Sequence, residues 1–300
     1  MIKVTNISKS FDGLEAVKDV SLQIEKGSIY GLLGSNGAGK TTLLKILAGI
    51  YKQDSGQISI ADKQVFENVS LKQKIIFLPD SLYFFSQYTI KQMADYYRSL
   101  FPSWNEERFQ KLGEVFPIDQ NKKIHRLSKG MQRQVAFRLT LSTMPDVLLL
   151  DEPIDGLDAV MRQKVKNLLF QDVAEREMTV LISSHNLREV EDICDHIGIL
   201  HQGQIIIEKD LDDLKSDVHK IQVAFKSGQI PEDFRNGLDI LYEEQRGSVL
   251  LCIVRGKEEE VTAKVSASHP VLFDLLPLTL EEIFIYEMGD VGYAIESIMV

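Results

Sequence analysis

One stretch limits what this chain can fold into more than any other: Gly34-Ser35-Asn36-Gly37-Ala38-Gly39-Lys40-Thr41-Thr42. The pattern G-x-x-x-x-G-K-T is a phosphate-cradling loop when it sits between a strand and a helix. Both flanks are present. Ser28 to Leu33 form a short apolar run that reads as a strand, and Leu43, Leu44, Ile46 and Leu47 recur at helical spacing. Bare glycine backbone lets N–H groups converge on phosphate oxygens that side chains would block. The helix start adds partial positive charge, Lys40 adds a full cation for β- and γ-phosphates, and the Thr41 hydroxyl suits Mg²⁺.

The rest of the chain alternates in a way that supports an α/β fold. Residues 2–4, 20–24 and 57–60 read as strands. Residues 82–143 change character: Met93, Tyr96, Tyr97 and Leu100, then Phe109, Leu112 and Val115, fall at helical spacing, and Asn105 is a candidate cap. These form a helical subdomain. Val147-Leu148-Leu149-Leu150 is an all-apolar run of the kind buried in parallel sheets. Residues 159–176 predict a helix, 179–183 a strand, and Leu187 to Cys194 a further helix. A boundary is expected near residue 215. Residues 218–300 then make a small C-terminal α+β domain, with Thr279-Leu280-Glu281-Glu282 as a capping box.

Asp151 and Glu152 follow the apolar strand directly, at the edge of a parallel sheet where ligands collect. Asp151 suits the shell of a magnesium ion and Glu152 a general base. Some twenty residues earlier, Leu127-Ser128-Lys129-Gly130-Met131 opens a helix with a hydroxyl and a bare glycine, a ready anion site. At 44% hydrophobic and 26% charged the chain is an ordinary globular protein. A net charge of −10 argues against an extended nucleic-acid surface, so no nucleic acid is expected as a partner. Cys194 and Cys252 read as isolated buried or half-buried thiols. No apolar run reaches the roughly 20 residues that span a bilayer, and no signal peptide is visible.

Residues 1–215 resemble the ATP-binding-cassette family, the ATPase subunits of ABC transporters. Residues 34–42 match its Walker A loop, residues 127–131 its LSGGQ signature, and residues 147–152 its Walker B strand with the catalytic glutamate. Ile154-Asp155-Gly156-Leu157-Asp158 resembles the D-loop, Ser183-Ser184-His185 the switch histidine, and Phe11 the aromatic that stacks on adenine. The resemblance implies a P-loop NTPase fold that binds ATP and Mg²⁺. It implies nucleotide contacts from Phe11 and residues 34–42, metal contacts from Thr41, Asp80 and Asp151, and catalysis by Glu152 and His185. Two cassettes would pack head to tail, so that Ser128 and Gly130 of one touch the γ-phosphate held by the other, with Asp158 signalling across the interface. An integral-membrane permease and a second ABC ATPase subunit are the implied partners. The implied location is cytoplasmic, on the inner face of the membrane.

The chain departs from the family pattern at three places. Lys129 and Met131 replace a glycine and the glutamine of the signature, and Asp80 in Leu78-Pro79-Asp80 stands where the family often has glutamine. Asp80 reads either as a magnesium ligand or as an ordinary loop aspartate. Tyr83, Phe84, Phe85 and Tyr88 either anchor a helix of the membrane subunit or pack within the helical insert. The signature LSKGM and the run Leu278-Thr279-Leu280-Glu281-Glu282-Ile283-Phe284 resemble bacterial ABC-2-type exporter ATPases, which move peptides, antibiotics or other amphipathic cargo. The alternative reading is a soluble ABC ATPase acting on ribosomes or DNA.

Overall fold

The structure, a computed structural model, describes residues 1–226 and 230–290. Residues 291–300, part of the expected C-terminal domain, lie outside them. The chain divides into two compact units between Glu208 and Lys209.

Two sheets make the frame of the first unit. Strands β1 (Ile2–Phe11), β2 (Leu14–Ile24), β4 (Ser55–Ile60) and β5 (Lys63–Gln64) form an antiparallel sheet in the order β2-β1-β4-β5. Strands β3 (Ile29–Leu33), β6 (Ile75–Leu78), β7 (Val147–Asp151), β8 (Thr179–Ser184), β9 (His196–His201) and β10 (Gln204–Asp210) form the second, in the order β10-β9-β3-β8-β7-β6. Its central strands β9, β3, β8, β7 and β6 run parallel. Leu148, Leu149 and Leu150 are fully buried, as a strand covered on both faces requires. Each such side chain contributes about 1.5–3 kcal/mol through loss of apolar contact with water. Parallel pairing also brings the ends of β3, β7 and β8 to one edge, with Asp151 opposite Ser183 and Leu33 opposite Ser184.

Helices pack on this frame. α1 (Lys40–Leu47) follows β3 directly, and α2 (Val69–Lys72) is a single turn before β6. The helical insert holds α3 (Ile90–Leu100), α4 (Glu106–Val115) and α5 (Lys129–Ser142). α3 begins in a reciprocal capping box between Thr89 and Gln92. Asn105 caps α4 by accepting the Arg108 N–H. The insert has its own apolar cluster, in which Ile90, Phe109, Ile124, Val135 and Leu139 are buried. α6 (Ala159–Arg176) follows β7, and α7 (Leu187–Glu191) closes before Cys194, earlier than the periodicity predicts.

The second unit begins before residue 215 because α8 (Leu211–Ser216) packs with the elements that follow it. Strands β11 (Val218–Ala224), β12 (Asp239–Arg246), β13 (Val249–Arg255) and β14 (Leu272–Leu276) form an antiparallel sheet in the order β12-β13-β11-β14. α9 (Glu258–Ala267) and α10 (Leu280–Asp290) complete it. The core is Ile221, Val223, Phe234, Leu250, Cys252 and Val265 with their neighbours. Thr279 and Glu282 exchange hydrogen bonds at the start of α10, as the capping-box motif demands. Both cysteines are free and buried.

Candidate active site

The site is assembled at the edge of the parallel sheet. The loop between β3 and α1 leads into Gly39, which precedes α1 with φ 108°, and a Cβ there would lie 2.2 Å from the Ala16 carbonyl. Only glycine fits. No side chain caps α1, so its first-turn N–H groups are left for a ligand. Lys40 lies 6% exposed among these groups and donates to the carbonyls of Gly34 (2.6 Å) and Ser35 (3.1 Å). Burial pushes its ammonium below the usual lysine range, and the carboxylates of Glu152 and Asp151 oppose that shift.

Behind the loop stand the two acids. Thr41 Oγ1 donates to Asp151 Oδ2 at 2.8 Å, and Ser183 Oγ donates to Asp151 Oδ1 at 2.6 Å. Asp151 is 3% exposed, so its orientation is fixed by both hydroxyls. A buried carboxylate beside a threonine hydroxyl is an oxygen donor set that fits a hard cation such as Mg²⁺. Glu152 adopts the left-handed backbone region with φ 46°, which is unusual for a residue with a side chain. Its N–H donates to the Ser183 carbonyl at 3.2 Å, and its Oε1 lies 3.6 Å from Lys40 Nζ. His185 Nδ1 lies 3.0 Å from Glu152 Oε2. That hydrogen bond holds the imidazole pKa above its ordinary value, against partial burial. Ligand atoms of Glu152, Asp155 and His185 all fall within 4.8 Å of one another.

A cleft of ≈ 600 Å³ opens over this array, lined by residues 36–42, Asp80, Asp151 and Glu152 together with Leu14, Glu15, Ala16, Gln202 and Gly203. Its size and donor pattern suit a nucleoside triphosphate. The structure therefore brings together Lys40, Thr41, Thr42, Asp80, Asp151 and Glu152, with His185 on Glu152. Gly34 and Ser35 contribute the carbonyls that receive Lys40.

Four expected residues lie elsewhere. Phe11 is 39% exposed at the end of β1, edge-on to Tyr51 with ring centroids 5.3 Å apart, and does not line the cleft. Ser128 caps α5 by accepting the Met131 N–H at 3.3 Å. Gly130 approaches Gly156 so closely that a Cβ would lie 2.8 Å from its carbonyl oxygen. Asp158 caps α6 by accepting the Met161 N–H at 2.9 Å. None of these three lines the cleft of its own chain.

The sequence reading missed Arg133. This residue, 7% exposed, donates through its guanidinium to the Glu152 carbonyl at 2.8 Å and to Asp80 at both its carbonyl (2.9 Å) and Oδ1 (3.1 Å). Asp80 is thus a member of an ion pair. The Leu14–Ala16 wall was also missed, because nothing local marks those residues as facing a ligand.

Residues 17–155 match the family model described as "ABC transporter". The chain is 37% identical over 289 residues to the ABC transporter ATP-binding protein YtrB of Bacillus subtilis, covering 96% of this chain and 98% of that protein. The chain belongs to the ABC transporter family. It is an ATP-binding ATPase subunit of that family, and the P-loop NTPase fold is the family's own. The bacitracin transport ATP-binding protein BcrA of Bacillus licheniformis is 31% identical over 218 residues, 72% of this chain and 71% of that one. In fold, the cassette superposes on the dimeric, post-hydrolysis MJ0796 bound to ADP and Pi, with TM-score 0.65 and 23% identity over 70% of this chain and 99% of that one. Among the described residues, no helix is long and apolar enough to cross a membrane.

Proposed function

We propose that this ABC ATPase powers a bacterial exporter of peptides, antibiotics or other amphipathic cargo, working as a head-to-tail dimer on an integral-membrane permease at the cytoplasmic face. The placement of Glu152 carries the reading: a carboxylate fixed at the cleft edge, beside Lys40 and against His185. The relatives YtrB and BcrA, the latter named for bacitracin transport, support the transporter assignment.

Lys40 and the N–H groups at the start of α1 hold the β- and γ-phosphates of ATP. Thr41 and Asp151, with Asp80 at the same cleft, would hold Mg²⁺, which would supply positive charge to the phosphates. Glu152 accepts the proton of the attacking water, and His185 keeps that carboxylate aligned through Nδ1. Ser128 and Gly130 lie outside their own cleft and serve the γ-phosphate of a second cassette, so hydrolysis removes the anion that holds the pair shut. Asp158, at the head of α6, faces the same junction. Phe11, which packs edge-on against Tyr51, is the aromatic that stacks on adenine in this reading.

Glu152→Gln should slow turnover at least roughly a hundredfold, the scale of a positioned base, and trap ATP in a closed dimer. Normal turnover in that variant rejects the assignment. Ser128→Arg should abolish ATP-driven dimerisation in light scattering and spare nucleotide binding by the monomer. Recovery of the detergent-solubilised protein with ribosomes or DNA, in place of a membrane subunit, would overturn the transporter reading.

A further inference from the structure

Arg133 ties three separate pieces of chain together. It belongs to the second turn of α5, in the helical insert. Through one guanidinium nitrogen it holds the carbonyl of Glu152, in the loop after β7 (2.8 Å). Through another it holds the carbonyl and Oδ1 of Asp80, in the loop after β6 (2.9 and 3.1 Å). The guanidinium is nearly buried, so water competes weakly for it from the arginine side, whereas the Asp80 carboxylate keeps 55% of its side chain exposed.

The residue at the far end of this clamp is strained. Glu152 sits at φ 46°, a conformation that is costly for a side-chain-bearing residue and persists only when the surroundings enforce it. The Ser183 carbonyl fixes its N–H, and Arg133 fixes its C=O. Both ends of the residue are therefore pinned, and the direction of the Glu152 side chain follows. Asp80 supplies the matching charge. An unpaired aspartate at the lip of a triphosphate cleft would repel the substrate, and Arg133 neutralises it.

We propose that Arg133 is a positioning residue for hydrolysis and that Asp80 acts chiefly as its counter-charge, not as a magnesium ligand. The idea rests on Glu152 being the base. It assigns the aspartate of Leu78-Pro79-Asp80 and the arginine of α5 to one device that reports the position of the helical insert to the hydrolytic carboxylate.

Steady-state ATP hydrolysis, nucleotide affinity and Mg²⁺ titration of Arg133→Met, Arg133→Lys, Asp80→Asn and the Asp80→Asn/Arg133→Met double variant test it, with Glu152→Gln as reference. Arg133→Met should lower kcat roughly 10–100-fold, the scale of a misplaced catalytic group, with KM changed less than about threefold. Arg133→Lys should recover part of the loss. Asp80→Asn should lower kcat less, and the double variant should be no slower than Arg133→Met alone, because both changes cut one link. The Mg²⁺ concentration at half-maximal rate should stay constant throughout. Full kcat in Arg133→Met beside an inactive Glu152→Gln overturns the positioning role and leaves the base intact. A raised Mg²⁺ requirement confined to Asp80→Asn returns Asp80 to the metal and overturns its role as counter-charge. Should Arg133→Met fail to fold, Asp80→Asn and Arg133→Lys still decide: wild-type rates in both refute the proposal. Normal turnover in Glu152→Gln removes the base and the proposal with it.

Discussion

Two arginine–aspartate junctions join the helical insert to the strands and helices around it, and they are built differently. At one, Asp172 of α6 is fully buried and receives Arg108 from α4 together with Arg176 from its own helix, the latter at 3.1 Å. At the other, Asp80 keeps 55% of its side chain exposed and receives Arg133 at 3.1 Å. A buried carboxylate between two cations has no alternative partner and acts as a fixed anchor. A half-exposed one can exchange its partner for water or a ligand at little cost. The fixed junction contributes no residue to the cleft, whereas Asp80 lines it. The insert is thus pinned at one end and adjustable at the end that meets the nucleotide.

The sharpest way to break this contrast is at Asp172. Asp172→Ala strands two guanidinium groups, each with less than a fifth of its side chain exposed, and should cost about 3–5 kcal/mol in urea denaturation. Asp80→Ala, at the exposed junction, should cost at most about 1 kcal/mol by the same measurement. Equal losses at the two sites would erase the distinction between anchor and joint.

A finer cut separates the two cations of the anchor. Arg108→Met removes the partner that reaches across from α4 and leaves Arg176 on Asp172. The loss should be about 1–3 kcal/mol, the cost of one charge-assisted bond to a buried group. Hydrogen exchange should quicken in α4 before it quickens in α6. A change confined to α6 would mean that Arg108 does not hold the insert.

These junctions also mark where sequence reading ends. The phosphate loop was legible because strand, glycines, lysine and helix are contiguous, and the apolar run of residues 147–150 announced the strand that carries Asp151 and Glu152. Asn105 and the Thr279 box were legible because a cap is a local interaction. Arg133 was not, since its partner Asp80 lies 53 residues away in the chain. Nor did one apolar stripe describe α5, because that helix is buried on nearly every side from Val135 to Ser142. Asp172 did leave a signal: Val165, Leu169 and Asp172 are the buried residues of α6, and their spacing places the aspartate on the core face. A carboxylate at such a position demands a cation, which the sequence alone does not identify. Phe11 shows the opposite limit. Its place in the sequence, about thirty residues before Lys40, fits the family's adenine aromatic, and its side chain packs on Tyr51, which that spacing did not involve.

The smallest expected effect belongs to a pair unlike either junction. Arginine keeps its charge at any ordinary pH, so the anchor and the joint are insensitive to it from the base side, whereas His185 titrates. Its bond to Glu152 raises the imidazole above its usual 6.5, burial works against this, Asp155 adds to the rise and Lys40 opposes it. A folded-state value above the unfolded one means stability that is complete below the unfolded pKa and lost as pH rises through the folded one. His185 is 46% exposed, so solvent screening keeps the contribution under about 1 kcal/mol. The melting-temperature difference between the wild-type protein and His185→Gln should therefore be largest near about pH 5.5–6, where His185 is charged, and should shrink toward about pH 8.5. The same scan on Arg133→Lys should stay flat. If the His185 difference were flat, or grew with pH, the raised imidazole would have no place in the folded site, and the alignment of Glu152 would fall to the Arg133 side of the residue alone.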